Sequence, residues 1–419
     1  MKTEQLYLLY SKHFLVDTDT RTIRKNTLFF ALKGAHFNGN QFAEEALSRG
    51  ASYAIVDEEK YAQTPRVLVV ENVLVCLQQL ANYHRKQLNI PIIALTGSNG
   101  KTTTKELINA VLSQKFKTTA TLGNLNNHIG VPLTLLSMNT RTEIGIVEMG
   151  ANHAQEISFL ATIAEPDFGY ITNFGKAHLE GFGSIQGVIN AKSELYDYLS
   201  KDHKTAFVNP NDALQLERTK NINRVLFNSD ELQFLEVNPF VKLRFKNRTI
   251  QSNLIGKYND TNLSAAITIG QYFKVPDDAI IAAIEQYAPQ NNRSQMIRSK
   301  ENTLILDAYN ANPTSMEAAL QSFHLLKESS KAVILGDMFE LGENSVEEHQ
   351  AIADLAAKLH FNQVYLVGAH FYGIKTKSHQ FKTFDDFKNF LIAHPPKQQT
   401  FLIKGSRGMS LERLLAFIP

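Results

Sequence analysis

The segment from Ile92 to Lys105, IIALTGSNGKTTTK, constrains this chain more than any other. A β-branched apolar run predicts a buried strand, the turn from Gly97 to Gly100 lets backbone N–H groups face a polyanion, and the residues from Lys101 onward start a helix. That order reads as a phosphate cradle in an α/β fold. Its candidate residues are Gly97, Ser98, Asn99, Gly100, Lys101, Thr102 and Thr103, with Lys101 to reach β/γ-phosphates and the Thr102 hydroxyl to meet Mg²⁺. The longer form of the motif carries glycine where Leu95 stands, so this is the short G-x-x-G-K-T form. A Gly/Lys turn that holds no nucleotide is the alternative, and the succession of strand, turn and helix weighs against it.

At 419 residues the chain exceeds one ordinary core, and length alone predicts roughly two to three domains. Lys plus Arg number 43 against 41 for Asp plus Glu, a net charge of +2. That balance argues against a nucleic-acid partner and leaves small molecules or peptides. Cys76, the single cysteine, excludes an internal disulfide framework and fits a reducing compartment. The N-terminal MKTEQLYLLYSKHFLV carries Glu4 and Lys12, and no run approaches the roughly 18 apolar residues of a membrane span. The expectation is a cytoplasmic monomer without membrane insertion.

Three segments follow from periodicity and punctuation. Residues 1–88 alternate short strands (Thr27 to Leu32, Tyr53 to Val56, Val67 to Val70) with helical pieces such as Gln41 to Ser48, predicting a small N-terminal α/β domain. Residues 89–292 hold the cradle and strands at Ile144 to Glu148 and Phe168 to Thr172, predicting a central P-loop domain with a mostly parallel sheet. In residues 293–419, strands at Thr303 to Asp307, Lys331 to Leu335, Gln363 to Val367 and Thr400 to Ile403 alternate with helices, as in a Rossmann-like, doubly wound domain.

Downstream of the cradle, Glu148 ends an apolar strand beside Gly150, where α/β sheets place ligands, and is the leading Mg²⁺ ligand. A solvated strand-end carboxylate is the other reading. His178, in NFGKAHLEGFG, can ligate a metal as neutral imidazole, although a loop histidine taken singly reads as polar surface. Lys192, in NAKSELY, is expected to begin a helix and by itself reads as a surface charge.

Five motifs change that weighting. TGSNGKTTTKE, GNLNNHIGVPLTLL (Gly123 to Leu136), EMGAN, NFGKAHLEGFGS and AKSELY follow one another in the order and rough spacing of the Mur ligases of peptidoglycan synthesis, and the resemblance spans nearly the whole chain. DAYNANPTSMEAAL, LGDMFELGENSVEEH and IKGSRGMSLERLL look like the branch that adds a terminal D-Ala-D-Ala. The branch adding the third residue shows Tyr-Ala-His-Thr-Pro where this chain has Tyr309-Asn310-Ala311-Asn312-Pro313. DTRTIRKNTLFFALKG is similar to the uridine-diphosphate pocket of these ligases.

The resemblance implies roles residue by residue. Lys101 would hold ATP phosphates, Thr102 and Glu148 a first Mg²⁺, and His178 a second. Lys192 matches a lysine carried as a carbamate. Asn259 and Asn262 match asparagines near the adenine, Arg293 an arginine on the phosphates, and Asp307 the acid on the ribose. Thr20, Arg21 and Asn127 fall to the UDP-linked substrate. The implied reaction joins UDP-MurNAc-tripeptide to D-Ala-D-Ala through an acyl phosphate, with outer domains that close to exclude water. A sister amide ligase, a P-loop kinase and a non-enzymatic nucleotide module are the competing readings, and product analysis separates them.

Overall fold

A computed structural model describes every residue of the chain except Asp202, Ser229 and Asn291. Four parallel strands, Val16–Asp17, Leu28–Phe30, Tyr53–Val56 and Val67–Val69, form the N-terminal sheet in that order. The helix Val73–Leu88 then leads into the cradle strand. Asn72 caps its start by accepting from the Val75 N–H at 2.9 Å, and Asn89, at φ 47°, ends it in the left-handed conformation. Its buried stripe (Val73, Leu77, Leu80, Ala81, His84) keeps helical spacing.

That helix joins the N-terminal unit to the central domain. Leu6, Tyr10, Leu77 and Leu80 belong to one continuous core with Val131, Leu135 and Leu160. Polar ties reinforce it: Tyr10 donates to the Leu136 carbonyl at 2.8 Å, and Arg85 pairs with Asp167 at 2.7 Å.

The central sheet has six parallel strands in the order Asn223–Leu226, Thr205–Val208, Phe168–Ile171, Ile92–Thr96, Ile144–Glu148, Thr118–Ala120. Ile92–Thr96 is buried throughout, as a strand covered on both faces should be. Its register sets Leu95 opposite both Tyr170 and Glu148. The cradle, Glu148 and the turn after Ile171 therefore emerge along one carboxyl edge, where the strand order switches direction and α/β sheets bind ligands. A three-stranded antiparallel sheet, Leu232–Val237, Phe240–Phe245 and Arg248–Ile255, was not anticipated. The C-terminal sheet runs Gln295–Arg298, Thr303–Asp307, Thr400–Lys404, Lys331–Gly336, Gln363–Val367, His379–Phe381, parallel except for its first strand.

One local expectation is corrected. The helix carrying Lys192 spans Ile185–Lys201, so Lys192 lies in its middle rather than at its start. The buried stripe begins at Val188 and continues through Leu195 and Leu199, which draws the preceding residues into the same helix.

His84 is fully buried at the junction of the N-terminal unit and the central domain, its Nε2 3.0 Å from the Met138 carbonyl oxygen. Burial pushes its pKa down to about 4. The unfolded chain therefore binds the proton first as pH falls, and this group's contribution, full above about pH 6.5, is lost toward pH 4 and amounts to about 3 kcal/mol. In urea unfolding across that range, the stability advantage of wild type over His84→Asn should shrink as pH falls; a constant difference would contradict the assignment.

Candidate active site

Two glycines make the cradle turn. Gly97 sits at φ 138°, and a Cβ there would lie 2.0 Å from Thr172 Oγ1; Gly100, at φ 80°, is the residue before the helix Lys101–Leu112. The turn is held from the neighbouring strand end. Thr172 Oγ1 and Asn173 Nδ2 donate to the Asn99 carbonyl at 2.6 and 2.9 Å, the Asn99 N–H donates to Asn173 Oδ1 at 3.1 Å, and Ser98 Oγ donates to the Gly175 carbonyl at 2.7 Å. Lys101 folds back so that Nζ donates to the Gly97 carbonyl at 2.7 Å, and burial lowers its pKa. A polyanion in the turn would replace that carbonyl as its partner.

The turn lines a cavity of about 930 Å³ between the central and C-terminal domains. Ser98, Asn99, Gly100, Lys101, Thr102, Thr103, Asn127, Glu148, His178, Asn259, Asn262, Arg293 and Asp307 all border it. Gly97 and Lys192 do not border it. Thr20 and Arg21 do not border it: Arg21 is exposed and bound to Asp19 at 2.5 Å.

Glu148 is only 1 % exposed. Asn126 Nδ2 donates to its Oε1 at 2.8 Å, Lys105 Nζ lies 4.0 Å from its Oε2, and Oε2 has no hydrogen-bond partner. A buried carboxylate oxygen left unsatisfied is costly unless something binds it, and it suits a hard divalent cation. Among the described residues no three His, Cys, Asp or Glu side chains cluster as a metal site, so further oxygen ligands would come from groups such as the Thr102 hydroxyl and from the nucleotide. The residues present fit Mg²⁺ bound with a triphosphate.

Lys192 is fully buried, with Nζ 3.2 Å from the Ala151 carbonyl oxygen and 5.0 Å from the centre of the Phe182 ring. Burial pushes its pKa down to about 7, and Lys101 acts in the same direction. His178 turns its Nδ1 onto the Glu340 carboxylate of the C-terminal domain. This pairing holds Glu340 below the usual carboxylate range. Asn262 Oδ1 accepts from Thr104 Oγ1 at 3.0 Å and Asn262 Nδ2 donates to Asn259 Oδ1 at 2.8 Å, so these asparagines buttress the cradle helix. Arg293 lies 3.7 Å over the Tyr309 ring, its Nε buried and unpartnered. Asp307 accepts from Lys404 Nζ at 2.7 Å and from the Ser294 N–H at 3.1 Å.

Sequence reasoning did not single out Asn126, Lys105, Lys404 or the cross-domain pair in which Asn312 Nδ2 donates to Asn99 Oδ1 at 2.8 Å. Their partners are distant in sequence. The departure from Tyr-Ala-His-Thr-Pro at Asn310 to Asn312 was the available signal for the last.

A short-form phosphate cradle with a buried acid on the adjacent strand end, at a cavity bordered by a Rossmann-like domain, defines a nucleotide-binding α/β protein. Three family models match in succession: "Mur ligase family, catalytic domain" over 13–96, "Mur ligase middle domain" over 95–270, and "Mur ligase, glutamate ligase domain" over 292–407. The chain belongs to the Mur ligase family. It is 33 % identical over 421 residues to the UDP-N-acetylmuramoyl-tripeptide–D-alanyl-D-alanine ligase of Bacillus subtilis, covering 96 % of this chain and 92 % of that one. The enzyme of the same name from Escherichia coli K12 is 34 % identical, with 96 % and 92 % covered. Among solved structures, MurF from Acinetobacter baumannii superposes with a TM-score of 0.84 at 33 % identity, covering 96 % of this chain and 92 % of that one. MurF from Thermotoga maritima in complex with ADP gives 0.84 at 26 %, covering 96 % of each.

Gly97→Ala should weaken nucleotide binding at least about 10-fold, because the new methyl group collides with Thr172 and the backbone angle disfavours it. Titration with a fluorescent ADP analogue measures this; wild-type affinity would show that the turn does not hold phosphate.

Proposed function

We propose that this chain is an ATP-dependent, ADP-forming ligase that joins D-Ala-D-Ala to the terminal carboxylate of UDP-MurNAc-tripeptide in peptidoglycan precursor synthesis. The observation that carries it is the meeting of the cradle and the unsatisfied Glu148 oxygen at one sheet edge, in a chain whose relatives of nearly equal length bear that activity's name.

In this reading Lys101 leaves the Gly97 carbonyl for the β/γ-phosphates and steadies the charge that gathers as the tripeptide carboxylate attacks the γ-phosphorus and ADP departs. The amine of D-Ala-D-Ala then attacks the acyl carbon; the bond to phosphate breaks, phosphate leaves, and the amide remains. Arg293 faces the phosphates, while Asp307, Asn259 and Asn262 attend the nucleoside. Thr20, Arg21 and Asn127 serve the UDP-linked substrate, with residues 1–88 as its domain, 89–292 as the ATP domain, and 293–419 as the domain that takes the ATP ribose and D-Ala-D-Ala and closes over both. Mg²⁺ supplies charge neutralisation on the phosphoryl oxygens when bound. Thr102 and Glu148 would hold one ion and His178 a second, the Glu340 contact on Nδ1 leaving the Nε2 lone pair available as a ligand.

Lys192 completes the reading as a carbamate. A lysine whose pKa falls to about 7 offers neutral amine at physiological pH; addition of CO₂ with loss of one proton turns it into an anion with oxygen ligands. The protein works as a cytoplasmic monomer. Among the described residues no helix is long and apolar enough to cross a membrane.

Incubation with ATP, Mg²⁺, D-Ala-D-Ala and UDP-MurNAc-tripeptide should give, by mass spectrometry, one product with the mass of the two joined less water, together with ADP. ADP and phosphate without a joined product would contradict the proposal. For Lys192, ¹³C NMR after exchange with ¹³C-bicarbonate should show a carbamate resonance that Lys192→Ala lacks; identical spectra would rule the modification out.

A further inference from the structure

The cavity carries one cation that the phosphoryl chemistry leaves unused. Its lysines and arginines are Lys101, Arg293, Lys404 and Arg407. Lys101 and Arg293 face the phosphates in the reading above, and Lys404 is neutralised by Asp307 at 2.7 Å. Arg407 has no ion-pair partner among the described residues. Its Nη1 donates to Tyr309 Oη at 3.1 Å, and the rest of its exposed guanidinium is open to a ligand.

The surroundings of Arg407 are built rather than incidental. Ser406, nearly fully buried, donates its N–H to the Asp337 carbonyl at 3.0 Å and accepts the Phe339 N–H on Oγ at 2.9 Å, which ties two loops of the C-terminal domain together. A Cβ on Gly408 would lie 2.8 Å from Phe339 Cε2, so the absence of a side chain there lets the ring rest on the loop. Phe339 is nonetheless 39 % exposed and borders the cavity. A guanidinium without an ion-pair partner among the described residues thus borders the same cavity as an uncovered aromatic ring that packs on the next residue, Gly408, a combination that suits a small acid with apolar side groups.

We propose that Arg407 binds the terminal carboxylate of the incoming D-Ala-D-Ala, with the Phe339 ring as the wall for its methyl groups. This rests on the ligase reading above. The attacking amine has to be neutral, so the carboxylate is the one permanent charge of this substrate, and a closed cavity receives it only against a cation. Position agrees with length. The Arg293 and Arg407 guanidinium carbons lie 3.7 and 5.1 Å from the centre of the same Tyr309 ring, and an extended dipeptide spans about 7 Å, so an anchored carboxylate leaves the amine within reach of the phosphate side.

The test compares D-Ala-D-Ala with its C-terminal amide on wild type, Arg407→Ala and Arg407→Lys, by initial rates of joined product. Wild type should prefer the acid by about 10- to 100-fold in kcat/KM, the range for a hydrogen-bonded charge. Arg407→Ala should lose that preference, using acid and amide about equally, while KM for ATP and for UDP-MurNAc-tripeptide stays within about twofold of wild type. Arg407→Lys should keep part of the preference. An Arg407→Ala enzyme that still favours the acid as wild type does, or one whose three KM values rise together, would overturn the proposal while leaving the ligase reading intact. A wild type that joins nothing to D-Ala-D-Ala would overturn both.

Discussion

The grip of Thr172 and Asn173 on the Asn99 backbone is the interaction on which the site depends. A phosphate cradle must keep several backbone N–H groups pointing into a cavity, an arrangement that costs free energy until an anion arrives. Here the neighbouring strand end fixes the path of the turn by bonding the Asn99 carbonyl and the Ser98 and Asn99 N–H groups, so that the turn is held without a ligand. The Asn99 side chain is free to meet Asn312 across the domain boundary, and Lys176, just beyond the same strand end, pairs with Glu348 at 2.6 Å. One short turn thereby couples the nucleotide loop to the domain that covers it.

Buried charge is the second theme. Glu148, Lys105 and Lys192 are each almost wholly withdrawn from water, yet none has a close, saturated ion pair. Such groups destabilise a fold unless a ligand, metal or modification completes them. Their concentration around one cavity is what a site for binding energy and phosphoryl chemistry looks like before its substrates arrive. The N-terminal unit, by contrast, shares an apolar core with the central domain through Leu6, Tyr10 and Leu77. The C-terminal domain also shares an apolar cluster with the centre, in which Leu179, Val188 and Ile255 join Met316, Leu320 and Leu341, while at the cavity mouth the polar pairs Asn99–Asn312 and His178–Glu340 cross the same boundary.

What was legible in the sequence follows from range. Ile92–Thr96 and Ile144–Glu148 read directly because parallel strands buried on both faces are continuous apolar runs, and the cradle read because its glycines, lysine and threonine are contiguous. The Lys192 helix starts earlier than expected, at a cap that the sequence offered in Ser184, whose Oγ accepts from the Gly187 N–H at 3.1 Å; Gly187 and the β-branched Ile185, Val188 and Ile189 are weak helix formers and hid its first turns. The antiparallel sheet from Leu232 to Ile255 stayed unread, its inward positions at Val241, Leu243 and Phe245 lying among many charges. Pairings such as Glu148 with Asn126, His178 with Glu340 and Asn99 with Asn312 join residues far apart in the chain, and only folding brings them together. IKGSRGMSLERLL carried part of the family resemblance, but did not tell that Arg407 would stand at the last strand's end with no ion-pair partner among the described residues.

The central claim is that this cavity activates a carboxylate by transferring the γ-phosphoryl group to it. Isotope transfer tests this most directly: with ¹⁸O in the terminal carboxylate of UDP-MurNAc-tripeptide, the inorganic phosphate released during turnover is analysed by mass spectrometry. An acyl phosphate requires one labelled oxygen to leave with each phosphate as the amide forms. Unlabelled phosphate accompanying full amide formation would contradict the account.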